Sequence, residues 1–116
     1  MAAPNLVNVT SVIPVTFDVA LTNSAADIIA AVTGSHVYMI VGLFAANKTA
    51  SPHPVTVYHK KSGTSYEQAL SWVVPPNATI SIYDGTKMWL PDGESITGLS
   101  DASSQIVVTG SYLDFS

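Results

Sequence analysis

Three histidines are the side chains of this chain best suited to binding a metal ion or moving a proton near neutral pH. His53 and His59 share one side of a predicted strand and lie six residues apart. At about 3.3 Å per residue, a strand places them roughly 20 Å apart, which is too far to share one metal ion. His36 is remote in the sequence. We therefore predict solvated or hydrogen-bonded histidines, no metal site and no cofactor.

Four acidic residues surround predicted turns: Asp84, Asp92, Glu94 and Asp101. A calcium site needs several oxygens converging on one point, and the alternating Asp/Asn spacing of an EF-hand is absent here. A hydrolase with paired carboxylates needs two acids facing each other across a cleft, and nothing in the sequence indicates such a cleft. We expect these acids to cap turns and strand edges.

The motifs of common enzyme classes are missing from the chain. It contains no cysteine, which excludes disulfides, thiolate nucleophiles and cysteine-based zinc sites. It has no G-x-S-x-G elbow and neither of the two common glycine-rich phosphate-binding motifs. The sequence therefore predicts no catalytic residue, and we do not expect an enzyme.

Charge is scarce: 10% of the 116 residues are charged, the net charge is −4, and no residue is an arginine. Typical domains are about 25% charged, and nucleic-acid binders need a basic surface. We therefore expect no nucleic-acid partner. Low charge favours a surface covered by other subunits, as in an oligomer. A β-protein coated with serine and threonine is the alternative.

The first residues do not resemble an export signal, because residues 1–10 contain no basic residue and no long apolar core. The longest apolar run, residues 37–46, contains Gly42 and has about half the ~20 residues that a membrane helix needs. We expect synthesis in the cytoplasm without a signal peptide, and no membrane insertion.

Alternating apolar and polar residues predict strands along most of the chain. Clear examples are residues 15–21, 55–59, 66–74 and 105–114. Residues 22–35 are ambiguous: a turn followed by a short strand is favoured over a short helix, since Thr22-Asn23-Ser24 is rich in turn formers. Residues 60–64 predict a hairpin turn.

Residues 37–46 predict a strand that is apolar on both faces. One face would carry Val37, Met39, Val41 and Leu43. The other would carry Tyr38, Ile40 and Phe44. Only one face of a sandwich strand packs on the core, so the other needs a helix, a loop or a neighbouring subunit.

Residues 75–99 combine short strands with turn signals at Asp84-Gly85 and Pro91-Asp92-Gly93. Trp89 lies between these turns and is expected to be exposed. About eight short strands follow one another at spacings typical of all-β folds. The sequence thus predicts one antiparallel β-sandwich or jelly roll at residues 13–116, preceded by an extended N-terminal arm at residues 1–12.

Aromatic side chains offer a different interpretation, because exposed rings stack on sugars in lectin-like sandwiches. Candidates for such a platform are Trp72, Trp89, Tyr58, Tyr66 and Tyr83. Ordinary core packing accounts equally for Trp72, which shares the apolar face of its predicted strand. A carbohydrate-binding module is therefore an alternative of another class.

The order of these features resembles a group of small virion proteins of tailed bacteriophages. The resemblance lies in residues 3–6, 37–47, 55–59, 73–96 and 107–112, and in a strand that ends at the Thr22-Asn23-Ser24 turn. It includes a turn formed by Leu90, Gly93, Glu94 and Ile96. These matches cover most of the chain but mark turns and strands, and carry no functional residue over to this sequence.

The resemblance implies a structural component of the virion, most simply a capsid decoration (cement) protein that stabilises the shell. It implies a homo-oligomer, with a trimer favoured, that contacts the major capsid protein or other virion proteins. A component of the tail, neck or fibre is the alternative. The candidate contact residues are Val37, Met39, Val41, Leu43, Tyr38, Phe44, Trp89, Asn5 and Leu6.

Overall fold

A computed structural model describes residues 11–61 and 65–116. For residues 65–70 and 83–88 it describes the backbone only. Eight strands account for most of the described chain. They are β1 (Val12–Ala20), β2 (Ala26–Ile29), β3 (Val37–Asn47), β4 (His53–Lys61), β5 (Ser65–Val74), β6 (Ala78–Leu90), β7 (Ser95–Ser100) and β8 (Ile106–Phe115). The hairpin turn predicted at residues 60–64 falls mostly outside the described residues.

The strands form two antiparallel four-stranded sheets, which we call sheet A (β1-β8-β3-β6) and sheet B (β2-β7-β4-β5). The first strand pairs with the last, the second with the seventh, the third with the sixth and the fourth with the fifth. This nested pairing, distributed over two sheets, is the topology of a jelly roll. The predicted fold class is confirmed. No helix among the described residues is long and apolar enough to cross a membrane.

Alternation along the strands builds the core between the sheets. Sheet A contributes Ile40, Leu43, Leu90, Ile106 and Val108, and sheet B contributes Val55, Val57, Val74 and Ile96, all of them buried. Each such aliphatic side chain stabilises the fold by about 1.5–3 kcal/mol relative to exposure. Trp72 packs against this core, as its apolar strand face predicted.

The ambiguous segment at residues 22–35 contains the short strand β2 and no helix. Thr22 stabilises the turn that precedes β2. Its hydroxyl accepts a hydrogen bond from the Ser24 N–H at 3.2 Å and donates one to the Ser24 carbonyl at 3.0 Å. After β2, Val32 is buried and donates its N–H to the Glu94 carbonyl at 3.0 Å. The predicted turn and short strand are confirmed.

The turn predicted at Asp84-Gly85 is wrong. β6 continues through these residues, and the pairing with β3 jumps from Ile40–Met88 to Gly42–Asp84. The strand therefore absorbs the turn-forming residues as a bulge, which keeps the antiparallel pairing on both sides. The turn at Pro91-Asp92-Gly93 is confirmed: Gly93 has a φ of 86°, which costs little without a Cβ, and Glu94 N–H donates to the Pro91 carbonyl at 3.1 Å.

Candidate assembly surface

A bulge in β3 decides which of its side chains face outward. Ile40 pairs with Tyr112 and Gly42 pairs with Ser111, so Val41 is one extra residue relative to β8. An extra residue shifts the alternation by one, which places Ile40 and Leu43 on the same, inward face. Both are fully buried. The predicted grouping of Leu43 with Val41 is therefore wrong, and Leu43 has no surface available to a partner.

One row of apolar residues crosses the outer face of sheet A. Pro14 pairs with Leu113, Leu113 with Met39, and Met39 with Trp89. Residues directly opposite in register share one face of a sheet. Because their neighbours Ile40 and Leu90 are buried in the core, this row points away from the core. It spans all four strands of the sheet.

A second row lies beside the first, two residues closer to the ends of the strands. Val12 pairs with Phe115, and Phe115 pairs with Val37. The Trp89 and Phe115 rings link the two rows, with centroids 5.5 Å apart. Val12 is 50% exposed and Val41, next to the rows, is 44% exposed. We call this surface the apolar patch; it consists of Val12, Pro14, Val37, Met39, Val41, Trp89, Leu113 and Phe115.

The apolar patch has a polar boundary on one side and the beginning of β1 on the other. The next outward row contains Thr16 and Ser111, which pair with each other. At the opposite end, Ser11 and Ser116 exchange two backbone hydrogen bonds of 3.1 and 3.0 Å. Ser11, the first described residue, therefore lies directly beside the patch.

The structure brings together only part of the predicted contact set. Val37, Met39, Val41 and Trp89 lie in the apolar patch, and their contact role stays a prediction. Phe44 is half-buried on the outer face, beyond the polar row. Asn5 and Leu6 lie outside the described residues.

Tyr38 lies on the inward face of sheet A. It therefore cannot contact a partner through the outer face of this sheet. Its ring stacks on the ring of Tyr112, with the two centroids 4.3 Å apart, and both rings pack against the core. Burial, followed by the proximity of Tyr38, raises the pKa of the Tyr112 hydroxyl. The sequence pattern did not indicate four members of the patch, because only the pairing of β1, β8 and β3 brings them beside Met39: Val12, Pro14, Leu113 and Phe115.

Each histidine forms a hydrogen bond with a different carboxylate, which confirms the prediction of solvated or hydrogen-bonded histidines. The distances are 2.7 Å for His36 Nδ1 to Asp114 Oδ1, 2.8 Å for His53 Nδ1 to Asp101 Oδ1, and 2.6 Å for His59 Nε2 to Glu94 Oε1. The hydrogen bond from His53 lowers the pKa of Asp101. Within the described ranges, no three potential metal-ligating side chains come together.

The His59–Glu94 pair is the most enclosed of the three. The side chains are 13% and 5% exposed. Glu94 also binds through its backbone, since its carbonyl accepts the Val32 N–H. The pair therefore ties β4 to the turn between β6 and β7, a structural role that accounts for both residues.

The two tryptophans do not form a common sugar-binding platform. Trp72 lies in β5 of sheet B and packs against the core, whereas Trp89 faces outward from sheet A. The side chains of Tyr66 and Tyr83 lie outside the part of the chain that the structure describes. Among the members of the proposed aromatic set whose side chains are described, Trp89 belongs to the apolar patch.

No protein-family model matches the chain, and no curated protein matches it. Among solved structures, it is similar to a chain from the structure described as "Bacillus endospore appendages form a novel family of disulfide-linked pili". The TM-score is 0.60 at 15% sequence identity, covering 100% of this chain and 96% of the other. This likeness shows a shared fold. The present chain has no cysteine, so its own residues cannot form disulfide links.

Proposed function

We propose that this protein is a non-enzymatic structural subunit that acts in many copies, and that the apolar patch is a contact surface in the assembly. The observation that carries the proposal is the continuous apolar face across all four strands of sheet A. The patch is not part of the core between the sheets, because its side chains point in the opposite direction.

The composition of the patch supports contact with protein. An antiparallel sheet that faces water normally carries polar residues on its outer side. A contiguous apolar surface rimmed by polar residues marks an interaction site, and aromatic and methionine side chains are enriched at the centre of interfaces. The patch contains Trp89, Phe115 and Met39 in mutual proximity, with Thr16 and Ser111 at its boundary.

Two kinds of assembly fit this proposal, and each has its own support. A filament of identical subunits is supported by the fold shared with a pilus protein. Decoration of a phage capsid, by a trimer bound to the major capsid protein, is supported by the resemblance of the sequence to virion proteins. The filament requires contacts between copies of this chain alone, whereas decoration requires a preassembled shell.

Light scattering after size-exclusion chromatography, followed by negative-stain electron microscopy, tests the proposal on the full chain. Filaments identify the pilus-like form. A closed oligomer that binds and stabilises capsids identifies the decoration form. A monomer at all concentrations, with no affinity for capsids, contradicts both.

A pair of variants locates the contact surface. Met39→Ser places a polar group in the centre of the patch and is expected to reduce association at least tenfold. Val73→Ser is the matched control, because Val73 is 65% exposed on β5 of the other sheet. Equal loss of association in both variants would argue against the patch.

A further inference from the structure

We propose that the apolar patch binds residues 1–10 of a second copy of this chain. The inference rests on the proposed assembly and names the segment that occupies the patch. It follows from the size of the patch, the composition of the segment and the point at which the segment joins the sandwich.

The patch is too small to hold two sandwiches together face to face. Four strands at about 4.8 Å spacing give a width of roughly 14 Å, and the four residue steps from Val37 to Val41 give a length of about 13 Å. The resulting footprint, taken as a flat rectangle, is roughly 200 Å², whereas a stable protein interface buries about 800 Å² of accessible surface per partner. A single extended segment is an occupant of the right size.

Residues 1–10 have the composition that such a surface recognises. They contain no charged side chain and include Leu6, Val7 and Val9. Pro4 favours an extended backbone around it. Fully extended, the stretch from Leu6 to Val9 would span about 10 Å, against about 13 Å for the patch, and ten residues would span at most about 33 Å.

The attachment point favours a neighbouring copy over the same copy. Ser11 pairs with Ser116 at the edge of the patch. A chain that continues beyond Ser11 in the direction of β1 leads away from its own patch, so reaching that patch requires a reversal. A second copy placed beyond this end of the sandwich needs none.

This arrangement predicts a head-to-tail assembly. Every copy offers one segment and one patch, and these are different surfaces. Such a heterologous contact makes a ring if the rotation between copies closes and an open filament if it does not. A contact of this size is weak alone and is reinforced by repetition along the assembly.

The absence of cysteine makes a disulfide trap a clean test. One copy carries Leu6→Cys, and a second copy of different mass carries Met39→Cys. We expect the mixed disulfide dimer to form at least tenfold faster under mild oxidation than with Val73→Cys as the matched control. Equal rates with both partners would overturn the inference.

A variant with both Leu6→Cys and Met39→Cys in one chain separates binding in trans from binding in cis. Oxidation of a mixture with cysteine-free protein of different mass, over a range of concentrations, decides between them. Disulfide-linked multimers support docking on a second copy. An internal disulfide at all concentrations shows that the segment covers its own patch and contradicts the proposal.

Deletion of residues 2–10 separates this inference from the proposed function. We expect the truncated protein to lose association and to bind a synthetic peptide of residues 1–10, with at least tenfold weaker binding in the Met39→Ser background. A truncated protein that assembles like the full chain overturns the inference but leaves the structural function intact. A full chain that never assembles overturns the proposed function, and absence of peptide binding then overturns the inference separately.

Discussion

The rings of Trp89 and Phe115 meet above β3, although the two residues lie on strands that do not pair with each other. Their centroids are 5.5 Å apart and their planes are inclined by 49°. β3 lies between β8 and β6 in sheet A, so the two side chains reach over it from either side. This contact joins the two apolar rows into one continuous surface.

The Trp89–Phe115 contact is expected to stabilise the fold slightly, because tilted aromatic pairs contribute about 0.5–1.5 kcal/mol beyond the area they bury. A double-mutant cycle with Trp89→Ala and Phe115→Ala in the protein lacking residues 2–10 should give a coupling of that size. Urea unfolding followed by circular dichroism measures it. Strictly additive effects would show that the rings do not interact.

The hydrogen bond between His59 and Glu94 is expected to stabilise the fold. Replacing His59 with alanine leaves the enclosed Glu94 carboxylate without this hydrogen-bond partner, and an unsatisfied buried acceptor costs about 1–3 kcal/mol. We expect a correspondingly lower free energy of unfolding for His59→Ala. Asp18→Asn, at an exposed position of the edge strand β1, is the control and should change stability little. Equal effects of both substitutions would contradict the structural role of the pair.

Gly110 of β8 lies in close contact with β3 and β1 of sheet A. A Cβ at this position would collide with the Gly42 carbonyl oxygen and lie 2.9 Å from Phe17 Cζ. Gly110→Ala should therefore lower the free energy of unfolding by about 1–3 kcal/mol through overpacking. Ser111→Ala, on the adjacent outward position, provides the comparison and should be close to neutral. Thermal or urea unfolding of both variants measures the difference.

The lowered pKa of Asp101 predicts a loss of stability in acid. Because its pKa in the folded protein is below the ordinary value of 3.8, its contribution is complete above that value and disappears as the pH falls through the lower folded pKa. Asp101→Asn should remove this part of the acid dependence. Unfolding midpoints between about pH 5 and pH 2 test it, and an unchanged slope in the variant would refute the assignment.

The fold was largely predictable because its signals are local. The turn at Pro91-Asp92-Gly93 and the alternation that buries Val55 and Val57 each depend on a few consecutive residues. The prediction of a turn at Asp84-Gly85 was wrong because it, too, was based on local residues alone. Its local signal is overridden by pairing with β3 over the whole length of β6, which accommodates these residues as a bulge.

The candidate surface was only partly predictable. Met39 and Trp89 were recognised from their own segments, but Pro14 and Phe115 were not, since nothing in their local sequence distinguishes them from other strand residues. The three histidine–carboxylate pairs were not predicted individually either. Their partners are separated by 35, 48 and 78 residues, distances over which a single sequence carries no pairing information.

The sequence alone determined that this chain is an all-β sandwich with turns near most of the expected positions, because alternation and turn chemistry act between near neighbours. Only the tertiary structure decided which faces are buried. One extra residue at Val41 moves Leu43 into the core, and strand pairing assembles Pro14, Met39, Trp89 and Leu113 into a single row. The reason is physical: the register of distant strands, and not the period within one strand, determines which side chains share a surface.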